Sequence, residues 1–178
     1  MRKIIYYVAV SIDGFISGRN NDISKFAMES TGVAKYLSDL QAFDTVIMGR
    51  KTYEFGYEFG LKPGEAPYPK MQHFVFSKTL KFDHPNDKIE VCKPDLELIR
   101  SLKNKKGTDI YLCGGGEFAG WLLDNEMIDK LKLKLNPIIL GAGVKLFGNS
   151  TKQFQLDLRE SEKFSHGLQI ITYDIVYK

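Results

Sequence analysis

Residues 44–54 read DTVIMGRKTYE, and residues 109–118 read DIYLCGGGEF. Each stretch is an aspartate, four mostly apolar residues and a glycine where a buried strand gives way to a helix. Such a turn leaves the first N–H groups of the helix free to attract an anion, and glycine lets a phosphate approach the backbone closely. Two such turns in one chain, one followed by Arg50-Lys51-Thr52, predict a single long anionic ligand held at two points.

Outward from these turns, Ile4–Val10 is a continuous apolar run, as expected of a strand covered on both faces. The turn signal Ser11–Gly14 follows, then a polar loop to about Ser30. Val33, Tyr36, Leu37 and Leu40 fall at i, i+3, i+4 and i+7, which predicts an amphipathic helix over 32–42 capped by Ser30 or Thr31. Thr45–Met48 and Phe74–Phe76 read as strands, with a short helix from Lys51 onward and a Gly/Pro-rich loop over 56–70.

Pro94 suits the first turn of a further helix, with Asp95 and Glu97 near its positive end and Gly107 stopping it. Lys103–Lys106 read as solvated cations at its close. Ile110–Cys113 is a strand, and Phe118, Trp121 and Leu122 give a helical apolar face with Trp121 as a core residue.

From Lys130 to Leu135 lysine and leucine alternate strictly, as in a strand with one wet face. This segment reads as a sheet edge, where lysines discourage aggregation. Residues 137–148 continue as strand, glycine-rich turn and short apolar segment. Leu168–Tyr177 alternates again and reads as the second arm of an antiparallel hairpin. Strand–helix units first and antiparallel strands last predict one α/β domain over 1–178, with a mixed, mainly parallel sheet, helices on both faces and a C-terminal hairpin.

Bulk properties narrow the function. The chain has 178 residues, 43% of them hydrophobic and 26% charged, with a net charge of +3 and no basic stripe, which argues against a nucleic-acid partner. Cys92 and Cys113 stand alone and the three histidines are scattered, so no metal site or disulfide framework is expected. The N-terminal apolar run is too short for a signal-peptide core, and no run approaches a membrane span, so a cytoplasmic location is expected.

Arg50 offers a planar fork suited to phosphate, Lys51 a point charge and Thr52 a hydroxyl. Three consecutive glycines, Gly114–Gly116, are costly in chain entropy unless the backbone needs them, and their spacing is not the GxGxxG fingerprint. Glu117 at the helix start is favourable to the dipole without any ligand. Ser77-Lys78 could serve a further phosphate or form a plain turn.

SIDGFIS (11–17), VIMGRKTYE (46–54), FSK (76–78), YLCGGGEF (111–118) and NPIILGAGVKLF (136–147) occur in that order. Together they resemble the dihydrofolate-reductase-like superfamily, most closely the branch of the C-terminal reductase domain of the bifunctional riboflavin-biosynthesis protein. The resemblance covers nearly the whole chain and implies an NADPH-dependent reductase. It implies that Gly49, Arg50, Lys51, Thr52, Ser77 and Lys78 hold the adenosine 2′-phosphate and pyrophosphate. Gly114, Gly115, Gly116, Glu117 and Phe118 would pack on the pyrophosphate and nicotinamide, which Ala9, Ile16 and Ser17 would flank. By analogy it also implies a homodimer.

The substrate side departs from both branches. Dihydrofolate reductase holds its pterin with a carboxylate on the first helix; Val33 falls at that place, with Ala34 and Lys35 beside it. A buried pterin N–H would lose its charged partner, at a cost of several kcal/mol, on the order of 3 or more. Residues 55–70, FGYEFGLKPGEAPYPK, also lack the DxPxLxxR-like segment of the riboflavin branch. Asp13 is the acid nearest the expected nicotinamide and the candidate proton donor, though an Asp-Gly turn explains it equally. Tyr53 and Tyr57 either line the substrate pocket beside Val33 or pack in the core. The sequence thus supports an NADPH-dependent reductase of a small pyrimidine- or pterin-like heterocycle. A non-catalytic NADP-binding module and dihydrofolate reductase proper are the alternatives.

Overall fold

The computed structural model describes residues 1–177. An eight-stranded sheet forms its centre. In chain order the strands and helices are β1 (Ile4–Ser11), β2 (Phe15–Ser17), α1 (Thr31–Leu40), β3 (Thr45–Gly49), α2 (Arg50–Phe55), β4 (Gln72–Phe76), β5 (Ile89–Cys92), α3 (Leu96–Asn104), β6 (Ile110–Gly114), α4 (Gly116–Asp124), β7 (Lys130–Asn136), β8 (Val144–Lys145), β9 (Gln155–Lys163) and β10 (Gln169–Val176). The sheet order is β5-β4-β3-β6-β1-β7-β10-β9, parallel from β5 to β7 and antiparallel for β10 and β9, while β2 and β8 pair separately. The α/β class, the mainly parallel sheet and the C-terminal hairpin are as the sequence predicts.

Helices cover both faces. Leu40 and Tyr36 of α1 and Tyr53 of α2 pack with Tyr7, Val46, Met48, Val75 and Tyr111. On the opposite face Ile99 and Leu102 of α3 and Ala119 and Leu122 of α4 pack with Ile4, Tyr6, Ile47 and Leu112. Alternate residues of each central strand thus enter opposite cores, which is why β1 and β6 read as unbroken apolar runs.

Several elements differ from expectation, each for a local reason. α1 is capped by the Ser30 hydroxyl, which accepts from Val33 N, but Leu37 is 56% exposed. The helix instead turns Gly32 inward, where a Cβ would stand 2.4 Å from Leu168 Cδ2. α2 begins at Arg50, one residue early. Asp95 rather than Pro94 adjoins α3, as the N-cap accepting from Glu97 N. The loop before Ser30 contains β2, and residues 137–143 form no strand. The short strands β5 and β9 give little sequence signal, the first for its length and the second because it is exposed almost throughout.

Two lysine readings change. β7 is no edge: it lies between β1 and β10, and the outer strand is β9. Its lysine face is covered by α1, with Lys132 Nζ 2.7 Å from Asp39 and 4.7 Å from the Tyr7 ring centre. Lys103 is 6% exposed rather than solvated, donating to Asp129 Oδ2 at 2.7 Å and Met127 O at 3.2 Å.

Asp39 joins Lys35, Lys132 and the Tyr7 hydroxyl. Burial alone would raise its pKa, but the hydrogen bonds from Lys132 and Lys35 outweigh that and hold it below the usual carboxylate range. A carboxyl depressed in the folded state stabilises the fold above its unfolded pKa of about 3.9 and loses that contribution as pH falls through the lower folded value. Asp39→Asn is therefore expected to lower the melting temperature at pH 7 and to narrow its gap to wild type below about pH 4. Thermal scans across pH check this; a pH-independent gap would rule out the ion cluster as the cause.

Candidate active site at the carboxyl ends of the parallel strands

In open α/β sheets ligands bind outside the carboxyl ends of the strands, where the strand order reverses. Here β1 leads leftward to β3 across β6, and β6 leads rightward to β7 across β1. At that point the sheet parts. β1 pairs with β6 only over Ile4–Tyr6, opposite Ile110–Leu112, yet β1 continues along β7 to Ser11 and β6 runs on to Gly114. The unpaired ends leave a gap between Ala9 on one side and Cys113–Gly114 on the other. A bulge opposite Ile47/Met48 adds a residue to β6 there and leaves Cys113 without a partner on β3.

The two glycine turns meet beside this gap. A Cβ on Gly115 would stand 2.9 Å from Thr52 Oγ1, and one on Gly49 would stand 3.2 Å from Phe118 Cβ. Gly114 takes φ +135°, a backbone conformation other residues avoid, and the Gly114–Gly115 peptide bond is cis. Gly115 is the N-cap of α4, and no side chain caps the first N–H groups of the helix.

The remaining predicted residues divide. Arg50 is exposed, donating to Glu54 Oε1 and to Thr79 Oγ1, both at 2.7 Å. Ser77 is buried; its hydroxyl accepts from Thr79 N and Leu80 N and so shapes the same turn. Lys51 and Lys78 are exposed, with no ion pair among the described residues. Arg50, Thr52 and the Ser77 turn therefore form one basic, hydroxyl-bearing rim. Ile16 and Ser17 lie in β2, where a Cβ on Gly143 would meet Ser17 O at 1.9 Å.

Glu117 instead accepts from Asn149 Nδ2 at 3.0 Å. Phe118 stacks between Phe76 and Trp121, with ring centres 4.8 and 5.8 Å away. Asp13 is a clasp: its carboxylate accepts from Leu140 N and Gly141 N, and hydrogen bonding, chiefly from the Ser11 hydroxyl, holds its pKa below the usual range. It stays ionised at neutral pH, which makes it a poor proton donor.

Of the two readings of Tyr53, the core one holds. Its hydroxyl donates to Glu65 O and accepts from Gly64 N, both at 2.9 Å, and its ring packs on Tyr57 and Phe82, so both tyrosines brace the 56–65 loop. Val33 is half-buried on α1.

Beside Cys113, at the edge of the gap, lies a row of phenols that the sequence reading passed over. The hydroxyls of Tyr36 and Tyr111 lie 2.8 Å apart, Tyr68 stands edge-on to Tyr111, and the Tyr68 hydroxyl is 3.5 Å from Cys113 Sγ. Burial, then the neighbouring thiol, pushes the Tyr68 and Tyr111 phenols well above their ordinary value, so both remain protonated. The signal was present in the parity of β6, where Tyr111 and Cys113 share one face.

Comparison with known proteins identifies the family. Residues 2–170 match the family model of the RibD C-terminal domain. The chain belongs to the RibD C-terminal domain family. It is 29% identical to YyaP of Bacillus subtilis over 97% of this chain and 94% of that one, and 29% identical to YwjB of the same organism over 95% and 96%; both are uncharacterized proteins. A protein of Shewanella sp. PV-4 assigned to riboflavin biosynthesis superposes with a TM-score of 0.80 at 26% identity, over 99% of this chain and 100% of that one. A pyrimidine reductase-like protein of Corynebacterium diphtheriae (TM-score 0.75, 16% identity) covers 99% of this chain and 93% of its own. The diaminohydroxyphosphoribosylaminopyrimidine deaminase/5-amino-6-(5-phosphoribosylamino)uracil reductase of Thermotoga maritima shares the fold at a TM-score of 0.72 and 15% identity, over 98% of this chain and 57% of its own. The RibD C-terminal domain is a reductase family with the dihydrofolate-reductase-like fold, which places this chain among oxidoreductases. No helix among the described residues is long and apolar enough to cross a membrane.

Proposed function

We propose that the protein is an NADPH-dependent reductase of a small planar heterocycle, pyrimidine- or pterin-like. The observation that carries this reading is the gap between β1 and β6 opening directly beside two glycine turns in mutual contact. The residues present fit the cofactor. Gly114 and Gly115 leave room for a pyrophosphate at the uncapped start of α4, and Arg50, Thr52 and the Ser77 turn suit the adenosine 2′-phosphate. When bound, the cofactor supplies the hydride. The chain's own part is to orient both partners across the gap and exclude water, with Ala9 and Cys113 at its sides.

The missing carboxylate at Val33 argues against dihydrofolate as substrate. NADPH is expected to raise the melting temperature, and absorbance at 340 nm should fall with at least one member of a panel of aminouracils and pterins. Binding without oxidation across the panel would favour a non-catalytic NADP-binding module, and no thermal response would sink the cofactor reading itself.

We further propose a homodimer. Leu156 and Leu158 on the outer strand β9 are 41% and 59% exposed and pair with Ile175 and Tyr173 of β10, extending the apolar face of α3 and α4 to the sheet edge. A second copy would bury this apolar face and shield the sheet edge. Light scattering should report a dimer for wild type and a monomer for Leu158→Asp; a wild-type monomer at micromolar concentration contradicts it.

A further inference from the structure

Lys134 projects from β7 on the face beneath α1, directly across the ladder from Ala9 at the gap. It is 7% exposed, yet no carboxylate lies within ion-pair distance of it among the described residues. Its neighbour two residues earlier, Lys132, is paired with Asp39; the carboxylates of this face also include Asp157, Glu160, Glu162 and Asp174, and the ion pairs they form are to Lys35, Lys130 and Arg159, none to Lys134. Lys134 Nζ has one acceptor, Ala27 O at 3.3 Å, and otherwise faces the Tyr36 ring, whose centre is 5.2 Å away. Two of its three donors are unused. From there a polar row continues through the hydroxyls of Tyr36, Tyr111 and Tyr68 to Cys113 at the edge of the gap.

A buried ammonium without a counter-ion is costly, and a ligand that brings the missing charge recovers that cost. Resting on the reductase reading above, we propose that the crevice selects a planar aromatic ring bearing a negative charge on the ring itself, a carboxylate or ionised oxygen that pairs with Lys134. The phenol rings flank such a ring, and the Tyr36 and Tyr111 hydroxyls supply further donors. A protonated amidine-like ring, as in a diaminopyrimidine, is repelled by the same cation. Burial lowers the Lys134 pKa, and an anion at this position restores its charged form. The contact to Ala27 O is long enough to yield, because Asn136 Oδ1 independently holds Ala27 N at 3.0 Å and keeps the loop in place.

The test uses orotate (uracil-6-carboxylate), uracil and 2,4-diaminopyrimidine as probes, each titrated with and without NADPH so that loss of the cofactor response leaves the probe comparison readable. Orotate is expected to bind at least about tenfold more tightly than uracil, with diaminopyrimidine weakest, a preference of the size one charge-assisted hydrogen bond confers. Lys134→Met should abolish that preference while the NADPH response is retained, and should hold or raise the melting temperature because a buried charge is removed. Lys134→Gln serves as the second variant. If orotate binds no better than uracil, or fails to bind, the proposal falls. It also falls if Lys134→Met lowers stability and weakens both probes alike, the outcome of a purely structural clasp on Ala27.

Discussion

Arg50→Ala is expected to weaken NADPH binding about 10- to 100-fold, the range set by losing one or two charge-assisted hydrogen bonds to phosphate. NADH binding should change far less, because it lacks the 2′-phosphate. In the structure the guanidinium already holds Glu54 Oε1 and Thr79 Oγ1. The competition is lopsided. An exposed i,i+4 ion pair contributes about 0.3–0.5 kcal/mol, so a phosphate draws Arg50 away from Glu54 at little cost. Arg50→Lys should recover part of the affinity, since it keeps the charge but not the fork. Equal losses for NADPH and NADH would move the 2′-phosphate away from this turn.

The second large effect separates neighbouring glycines. Gly116→Ala would put a Cβ 2.1 Å from Lys145 O and 3.1 Å from Gly148 N, both backbone atoms. Neither can step aside without moving α4 off the 145–148 loop, which also packs against Gly120. A loss of about 3 kcal/mol, the upper end for overpacking, is expected. For a chain of this length that lowers the melting temperature by roughly 6–12 °C. Gly115→Ala meets only Thr52 Oγ1, at 2.9 Å, the end of a side chain that can rotate. It should fold nearly as well as wild type yet lose NADPH affinity, because its methyl occupies the cradle. Unfolding scans and cofactor titrations on both variants separate the cases; a stable Gly116→Ala would contradict the packing role.

This contrast shows where the sequence was legible. The triple glycine reads as a strand-to-helix turn, and it does join β6 to α4. Yet the three residues have different tasks: Gly114 supplies a positive φ, Gly115 contacts Thr52 and Gly116 admits a distant loop. Only the first task is local enough to leave a trace in neighbouring residues. The parallel strands were legible because burial on both faces makes Ile4–Val10 and Thr45–Met48 apolar throughout.

β7 misled for the opposite reason. A lysine-leucine alternation reads as a wet face, but α1 covers those lysines and Asp39 neutralises Lys132 from another element. The proposed substrate side was hidden in the same way: Tyr36, Tyr68, Tyr111, Cys113 and Lys134 come from four separate segments, and only the topology gathers them. Asp13 shows the converse, an acid beside the expected nicotinamide whose carboxylate is spent on Leu140 and Gly141.

The central claim is that one cofactor spans both glycine turns with its reactive ring in the gap between β1 and β6. A crystal structure of the protein with NADPH tests it most directly. The account predicts the 2′-phosphate at Arg50 and Thr52, the pyrophosphate against Gly114–Gly115, and the nicotinamide between Ala9 and Cys113. A cofactor bound elsewhere, or with its nicotinamide at Arg50, would contradict it.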